Sequence, residues 1–181
     1  MINYGIIAES IDFYTKAGFK RIEAPWTVSE AVDNITKPSE RIHMQLKHND
    51  KCLVASGEQS FLYLYCKGFL PLGKYQTVTP CFRYEQFDGM HMKNFIKNEL
   101  IITDDVSEKQ LKMMVGFALE FFSKYVDCHI EETDEGYDIV SDNGYELGSY
   151  GIRSCDYLKW IYGTGVAEPR LTRVIQSIQN Q

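Results

Sequence analysis

The chain has 181 residues, 44% of them hydrophobic and 13% aromatic, and carries a net charge of −6. That is enough for one well-buried domain over residues 1–181. It excludes an intrinsically disordered chain, and the acidic balance without any basic run excludes a general binder of nucleic-acid backbones. The five cysteines have no CxxC spacing, so they fit neither a disulfide framework nor a zinc site and read as buried small hydrophobes in a reducing compartment. No leader-like N-terminus and no apolar run of membrane-spanning length is present, so a soluble cytoplasmic protein is the expectation.

In chain order, residues 10–17 read as a short amphipathic helix stopped by Gly18, and residues 19–26 as a strand ending near Pro25. Residues 42–47 and 51–55 flank His48-Asn49-Asp50, a hairpin signal, and residues 58–67 predict a helix rich in Leu and Tyr. Two strand-like runs, 76–85 and 91–102, surround the turn signal Asp88-Gly89. Ser107 and Gln110 have capping-box spacing before a helix expected to reach Tyr125, with Leu111, Met114, Phe117 or Ala118, and Phe121 or Phe122 on one face. Residues 137–141 and 145–149 pair around Asp142-Asn143-Gly144. Pro169 then opens a final helix whose stripe is Leu171, Val174 or Ile175, and Ile178. Hairpins mixed with helices imply an α+β fold, an antiparallel β-sheet flanked by helices.

Chemistry concentrates in two places. In Thr79-Pro80-Cys81-Phe82-Arg83-Tyr84-Glu85, alternation puts Arg83 and Glu85 on one face of a strand. On the returning strand His91, Lys93, Phe95, Lys97 and Glu99 share a face. A solvated face with cross-strand ion pairs accounts for these charges. The single ring of Phe95 among them instead suits a platform for a flat base. Similarly, Gly163-Thr164-Gly165 is either a plain turn or a glycine loop exposing N–H groups at a helix start, with Arg170 beside it, a ready anion site. Together these groups suit the grip of a nucleoside triphosphate without a P-loop.

The ordered set of segments resembles the catalytic core of class II aminoacyl-tRNA synthetases, and most closely the seryl-type branch. Gly18-Phe19-Lys20-Arg21-Ile22-Glu23-Ala24-Pro25 is similar to the first family motif, a helix-to-strand element at a dimer interface. Phe82-Arg83-Tyr84-Glu85 followed by His91-Met92-Lys93-Asn94-Phe95 is similar to the second, and residues 163–171 to the third. Ser56-Gly57-Glu58 stands at the amino-acid loop, Phe95-Ile96-Lys97-Asn98-Glu99 at the seryl-type Phe-x-Lys-x-Glu, and Glu146-Leu147-Gly148-Ser149 at the metal-binding segment.

The resemblance implies ATP-dependent activation of an amino acid to an aminoacyl-adenylate. Arg83 would hold the α-phosphate and the amino-acid carboxylate, Glu85 the adenine amino group, and Phe95 the face of the ring. Arg170 would clamp the opposite face and the γ-phosphate, with His91 near the terminal phosphates. Ser56, Glu58, Lys97 and Glu99 would bind the amino acid, Glu58 through its ammonium and Glu99 by reading its side chain. Glu146 and Ser149 would bind Mg²⁺. A homodimer is implied, with Phe19, Ile22 and Trp26 at the interface.

The chain departs from the family in having His91 where arginine is usual and no room for an anticodon-binding or other tRNA-binding domain. With the acidity, this argues against tRNA binding by this chain alone. It points to transfer onto a carrier protein or small acceptor. The alternatives are a catalytically silent paralogue that binds amino acid or nucleotide and regulates a partner, and the catalytic subunit of a split synthetase whose partner subunit contacts tRNA.

Overall fold

The computed structural model describes residues 1–38, 41–42, 44–47, 49–84 and 92–179. The first helix, α1 (Tyr4–Lys16), starts six residues ahead of the expected position because Asn3, not Ser10, caps it. The Asn3 side chain accepts the Gly5 and Ile6 N–H groups at 3.0 and 3.3 Å, whereas the buried Ser10 hydroxyl bonds back to the Ile7 carbonyl at 2.7 Å. Gly18, at φ +92°, ends the helix as predicted.

The strand expected over 19–26 is reduced to β1 (Lys20–Arg21). After it come β2 (Thr27–Ser29), α2 (Glu30–Thr36) and β3 (Lys51–Leu53), of which only β3 was expected. β3 pairs with β2 in a separate two-stranded sheet; the expected hairpin partner of β3 meets it at the Gln45–Cys52 bridge, where the Leu46 N–H donates to the Lys51 carbonyl and the Leu53 N–H to the Met44 carbonyl, each at 2.9 Å.

The remaining elements are α3 (Gly57–Cys66), β4 (Lys74–Phe82), β5 (Asn94–Ile102), α4 (Glu108–Phe122), β6 (Cys128–Thr133), β7 (Gly136–Ser141), β8 (Glu146–Cys155), β9 (Leu158–Glu168) and α5 (Arg170–Gln179). Seven strands form one sheet in the order β1-β4-β5-β9-β8-β7-β6. All its pairings are antiparallel except β1 with β4. The expected α+β architecture is therefore present. The 137–141 hairpin is present too, turned by Gly144 at φ +84°. Strands β6 and β9 were not foreseen.

One face of the sheet is covered by α1, α4 and α5. Tyr14, Leu111, Met114, Ala118, Phe121, Phe122, Leu171 and Val174 pack there against Leu100, Ile102, Ile139, Leu147, Tyr150 and Ile161. The predicted stripe of α4 is thus the buried one, but the helix ends at Phe122 and only half of the capping box forms. Ser107 Oγ accepts the Gln110 N–H at 3.4 Å, while the Gln110 side chain turns to Asp105 and Lys74. On α5 the stripe stops early: Ile178 is exposed.

On the opposite face, Val28, Val32, Val54, Phe61 and Leu62 from the small sheet and α2–α3 cover Tyr75, Ile101, Trp160 and Tyr162. They cover only one end of β4, β5 and β9. The other end of that face, beginning at Glu99, opens into a cavity.

Two expectations fail on burial. Phe19 is only 1% exposed and packs edge-on to Tyr14 within the chain's own core, so it is no interface residue, whereas Trp26 is 58% exposed. Of the cysteines, all free, Cys52 and Cys81 are buried as expected; Cys66 is exposed and Cys128 and Cys155 are half-buried.

Candidate active site

Antiparallel pairing sets the site. Cys81 lies opposite Phe95 and Thr79 opposite Lys97. Beyond the end of β4, the Arg83 N–H still bonds to the Lys93 carbonyl at 2.8 Å. Two residues beyond Cys81, Arg83 therefore shares the face of Phe95, and its guanidinium lies over that ring, 5.0 Å from the centroid. Arg83 Nε also donates to the Ala55 carbonyl at 3.1 Å, which ties the strand to the segment entering α3.

That segment supplies Ser56, the N-cap of α3. Its Oγ accepts the Glu58 N–H at 3.3 Å and donates to Glu99 Oε2. Glu99 is 1% exposed, and Lys97 Nζ lies 2.9 Å from its other oxygen. Gln59 braces the same turn, accepting the Ala55 N–H at 2.7 Å and donating to Asp33 Oδ1 at 2.5 Å.

In the first turn of α3, the Glu58 carboxylate is fully engaged. Arg153 Nη1 donates to Oε2 at 2.7 Å and Trp160 Nε1 to Oε1 at 2.6 Å. Burial pushes the Glu58 carboxyl above its ordinary value; Arg153 opposes that shift and Glu99 adds to it. At the other end, Arg170 Nη1 donates to Glu146 Oε1 at 2.9 Å. Ser149, on the same strand as Glu146, lies opposite Asp138 of β7.

A cavity of about 330 Å³ gathers these groups. Ser56, Glu58, Arg83, Phe95, Lys97, Glu99, Glu146, Ser149 and Arg170 all line it. Glu85 and His91, together with the turn at Asp88-Gly89, lie outside the described residues. A sequence of 181 residues thus brings together side chains from α3, β4–β5, β8 and α5 on the uncovered end of one sheet face.

No family model matches the sequence, and no curated protein matches it. Solved structures do. The cytoplasmic serine-tRNA ligase of Naegleria fowleri, in complex with AMP, superposes with a TM-score of 0.73 at 18% identity, over 93% of this chain and 52% of that one. The seryl-tRNA synthetase of Pyrococcus horikoshii, complexed with ATP, gives 0.75 at 16% identity, over 92% and 48%. A pyrrolysyl tRNA synthetase, PylSc of Desulfitobacterium hafniense, gives 0.73 at 14% identity, over 96% and 69%. The chain has the fold of the class II aminoacyl-tRNA synthetase catalytic core. It spans about half the length of the two seryl enzymes.

Within this class II core, one expectation is overturned. Residues 163–168 are not a glycine loop but the inner half of β9. Their N–H groups lie in the sheet, and the glycines answer to packing instead: a Cβ on Gly163 would stand 2.5 Å from Met114 Sδ and 2.6 Å from Tyr150. Nor is the start of α5 open to an anion. The Glu168 carboxylate occupies it, accepting the Thr172 N–H at 3.2 Å, the Thr172 hydroxyl at 2.7 Å and the Asn3 N–H at 3.1 Å. Arg170 reaches the cavity by its side chain alone.

Arg153, Tyr162, Trp160 and Glu135 were missed. Arg153 follows Ser149 by four residues, an even spacing that keeps it on the same strand face. The expected hairpin strand ended at Ser149, so Arg153 fell outside it, and β9, which carries Trp160 and Tyr162, was not foreseen. Among the described residues no three His, Cys, Asp or Glu side chains gather to hold a metal. Glu146 and Ser149 still offer one carboxylate and one hydroxyl. That suits Mg²⁺, which usually takes one or two protein oxygens and completes its shell with water and phosphate. Among the described residues no helix is long and apolar enough to cross a membrane.

Proposed function

We propose that the chain activates an amino acid with ATP, forming an aminoacyl-adenylate and pyrophosphate. The observation that carries this is the convergence of Arg83, Phe95, Glu99, Glu146 and Arg170 on one cavity of a class II synthetase fold. The attacking group, an α-carboxylate, is ionised near neutral pH with a reference pKa of about 3.5. No general base is needed, and catalysis is alignment plus stabilisation of charge.

In this reading Arg83 presents its planar fork to the substrate carboxylate and the α-phosphate. Phe95 carries the adenine, with Arg170 on the opposite side. Ser56, Lys97 and Glu99 surround the amino acid; Glu58, expected to receive the ammonium, is instead committed to Arg153 and Trp160 and fixes the floor beneath it. Glu85 and His91, outside the described residues, keep their expected roles toward the adenine amino group and the terminal phosphates. Glu146 and Ser149 would hold Mg²⁺, which when bound supplies positive charge against the triphosphate.

Transfer of the activated amino acid to a carrier protein or small acceptor is the accompanying proposal, supported by a net charge of −6 that suits no polyanion. The partly buried Ile22 and exposed Trp26, beside the edge strand β1, are the proposed homodimer contacts. A second reading, a paralogue that binds without activating, is favoured by one contact. The Arg170–Glu146 pair joins the two groups assigned to the triphosphate and its ion.

Amino-acid-dependent exchange of pyrophosphate into ATP tests the reading, with all twenty amino acids and Mg²⁺. Exchange with one or a few establishes activation. Absence of exchange with every amino acid, alongside calorimetric binding of ATP, favours the second reading.

A further inference from the structure

The inner wall of the cavity carries a guanidinium held on two of its sides. Arg153 Nη1 is committed to the buried Glu58 at 2.7 Å, and the plane of the group rests on Tyr162, 3.9 Å from the ring centroid. These contacts fix the fork before any ligand arrives. Its second arm, Nη2, has a different partner. It lies 3.6 Å from the carboxylate of Glu135, too far for a hydrogen bond, and that side chain is 78% exposed. Arg153 and Glu135 both line the cavity.

A fixed, partly desolvated guanidinium arm that meets only a loose carboxylate at the cavity wall is a receptor for a better-placed one. The rest of the wall agrees. Lys97 meets Glu99 at 2.9 Å and Arg170 meets Glu146 at 2.9 Å, so a cationic ligand group would compete with a cation already there. Among the described carboxylates of the wall Glu135 alone is loosely held, and an exposed, screened carboxylate selects weakly. An apolar side chain would leave Nη2 without a hydrogen-bond partner inside the cavity and an amide would offer it a neutral acceptor, whereas a carboxylate would gain a charge-assisted bond.

We infer that Arg153 is a specificity-determining residue and that the substrate is an amino acid with a carboxylate in its side chain, bound by Arg153 Nη2 in the place that Glu135 approaches. This rests on the amino-acid-activating reading above. It adds that aspartate or glutamate is preferred over its amide, which has the same shape without the charge.

The experiment is calorimetric titration of aspartate, glutamate, asparagine, glutamine and serine into the full chain with ATP and Mg²⁺, run beside pyrophosphate exchange. An acidic amino acid is expected to bind about 5- to 30-fold more tightly than its amide, the range for exchanging a charge-assisted hydrogen bond for a neutral one. Glu135→Gln removes the competing carboxylate from an exposed turn and is expected to tighten the acidic ligand several-fold without changing serine. Arg153→Gln is expected to bring acid and amide within about 3-fold of each other. Because Arg153→Gln alone leaves Glu58 buried without its cation, the double variant Glu58→Gln with Arg153→Gln is measured too, with the same expectation.

Equal affinity for acid and amide in the wild-type chain, or preference for a neutral amino acid with exchange intact, overturns this inference and leaves amino-acid activation standing. Tight binding of an acidic amino acid without exchange supports the inference and overturns activation. Neither binding nor exchange with any amino acid overturns both.

Discussion

The guanidinium of Arg83 lies over the ring of Phe95, 5.0 Å from its centroid, while its Nε is held by the Ala55 carbonyl at 3.1 Å. The anchor for phosphate and carboxylate and the platform for the base thus form one stack, and the same arginine locates the loop that carries Ser56. Arg83→Ala is expected to lower pyrophosphate exchange at least 100-fold. Arg83→Lys is expected to do nearly as badly, because a point-charge ammonium has no fork and no flat face. Circular dichroism should find both variants folded. A lysine variant within about 3-fold of wild type would contradict the stacked, bidentate role.

Phe95 can be tested apart from Arg83. Base–aromatic stacking contributes about 1–3 kcal/mol, so Phe95→Ala should raise the KM for ATP roughly 5- to 150-fold. The KM for the amino acid should change far less. If the two rise together, Phe95 shapes the cavity as a whole and is not the adenine platform.

Gly57, the first residue of α3, packs tightly against the site floor. A Cβ there would stand 2.9 Å from Glu99 Cβ and 3.1 Å from Thr79 Oγ1. Gly57→Ala must push the start of α3 outward, at about 1–3 kcal/mol of stability. It would also separate Ser56 from Glu99, so exchange should fall by more than the loss of folded protein explains. Gly116 is the control: nothing lies within 4 Å of its added Cβ, in the middle of α4. Gly116→Ala should stabilise by up to about 1 kcal/mol and leave exchange unchanged. Denaturant unfolding of the two variants checks both signs.

How much of this was legible in the sequence depended on the range of the interaction. The face shared by Arg83, Phe95, Lys97 and Glu99 follows from period-two alternation, a local rule, and it holds. The helix caps are local too, but Asn3 and Ser10 both offer a capping side chain, and only tertiary placement decides between them. Ser10 turns inward to receive the Asn98 amide at 3.1 Å, which frees it from capping. The glycines of β9 misled for the same reason. In sequence they look like a loop, whereas Gly163 and Gly165 are small because Met114, Tyr150 and Tyr14 arrive from elsewhere in the chain. Arg153 was invisible because its meaning comes from Glu58, 95 residues away.

Two buried carboxyl groups make the stability of the chain depend on pH. Burial raises the carboxyl groups of Glu58 and Glu168 above the ordinary 4.5. For Glu58 the cation Arg153 opposes this, and for Glu168 the Thr172 and Asn3 hydrogen bonds do. Below 4.5 each group is protonated in both the folded and the unfolded chain, and its contribution to stability is fully present. Above it, the unfolded chain gives up the proton first, so the folded state binds more protons and stability falls as pH rises through the raised folded values. The trend is opposite to that of a carboxylate whose folded value is depressed. Urea unfolding across this window should therefore show a stability component that declines with pH. Glu58→Gln should remove its share of that slope, whatever the variant's absolute stability, because an amide does not titrate. An unchanged slope in Glu58→Gln would mean that the Arg153 contact outweighs burial and holds the Glu58 carboxylate ionised.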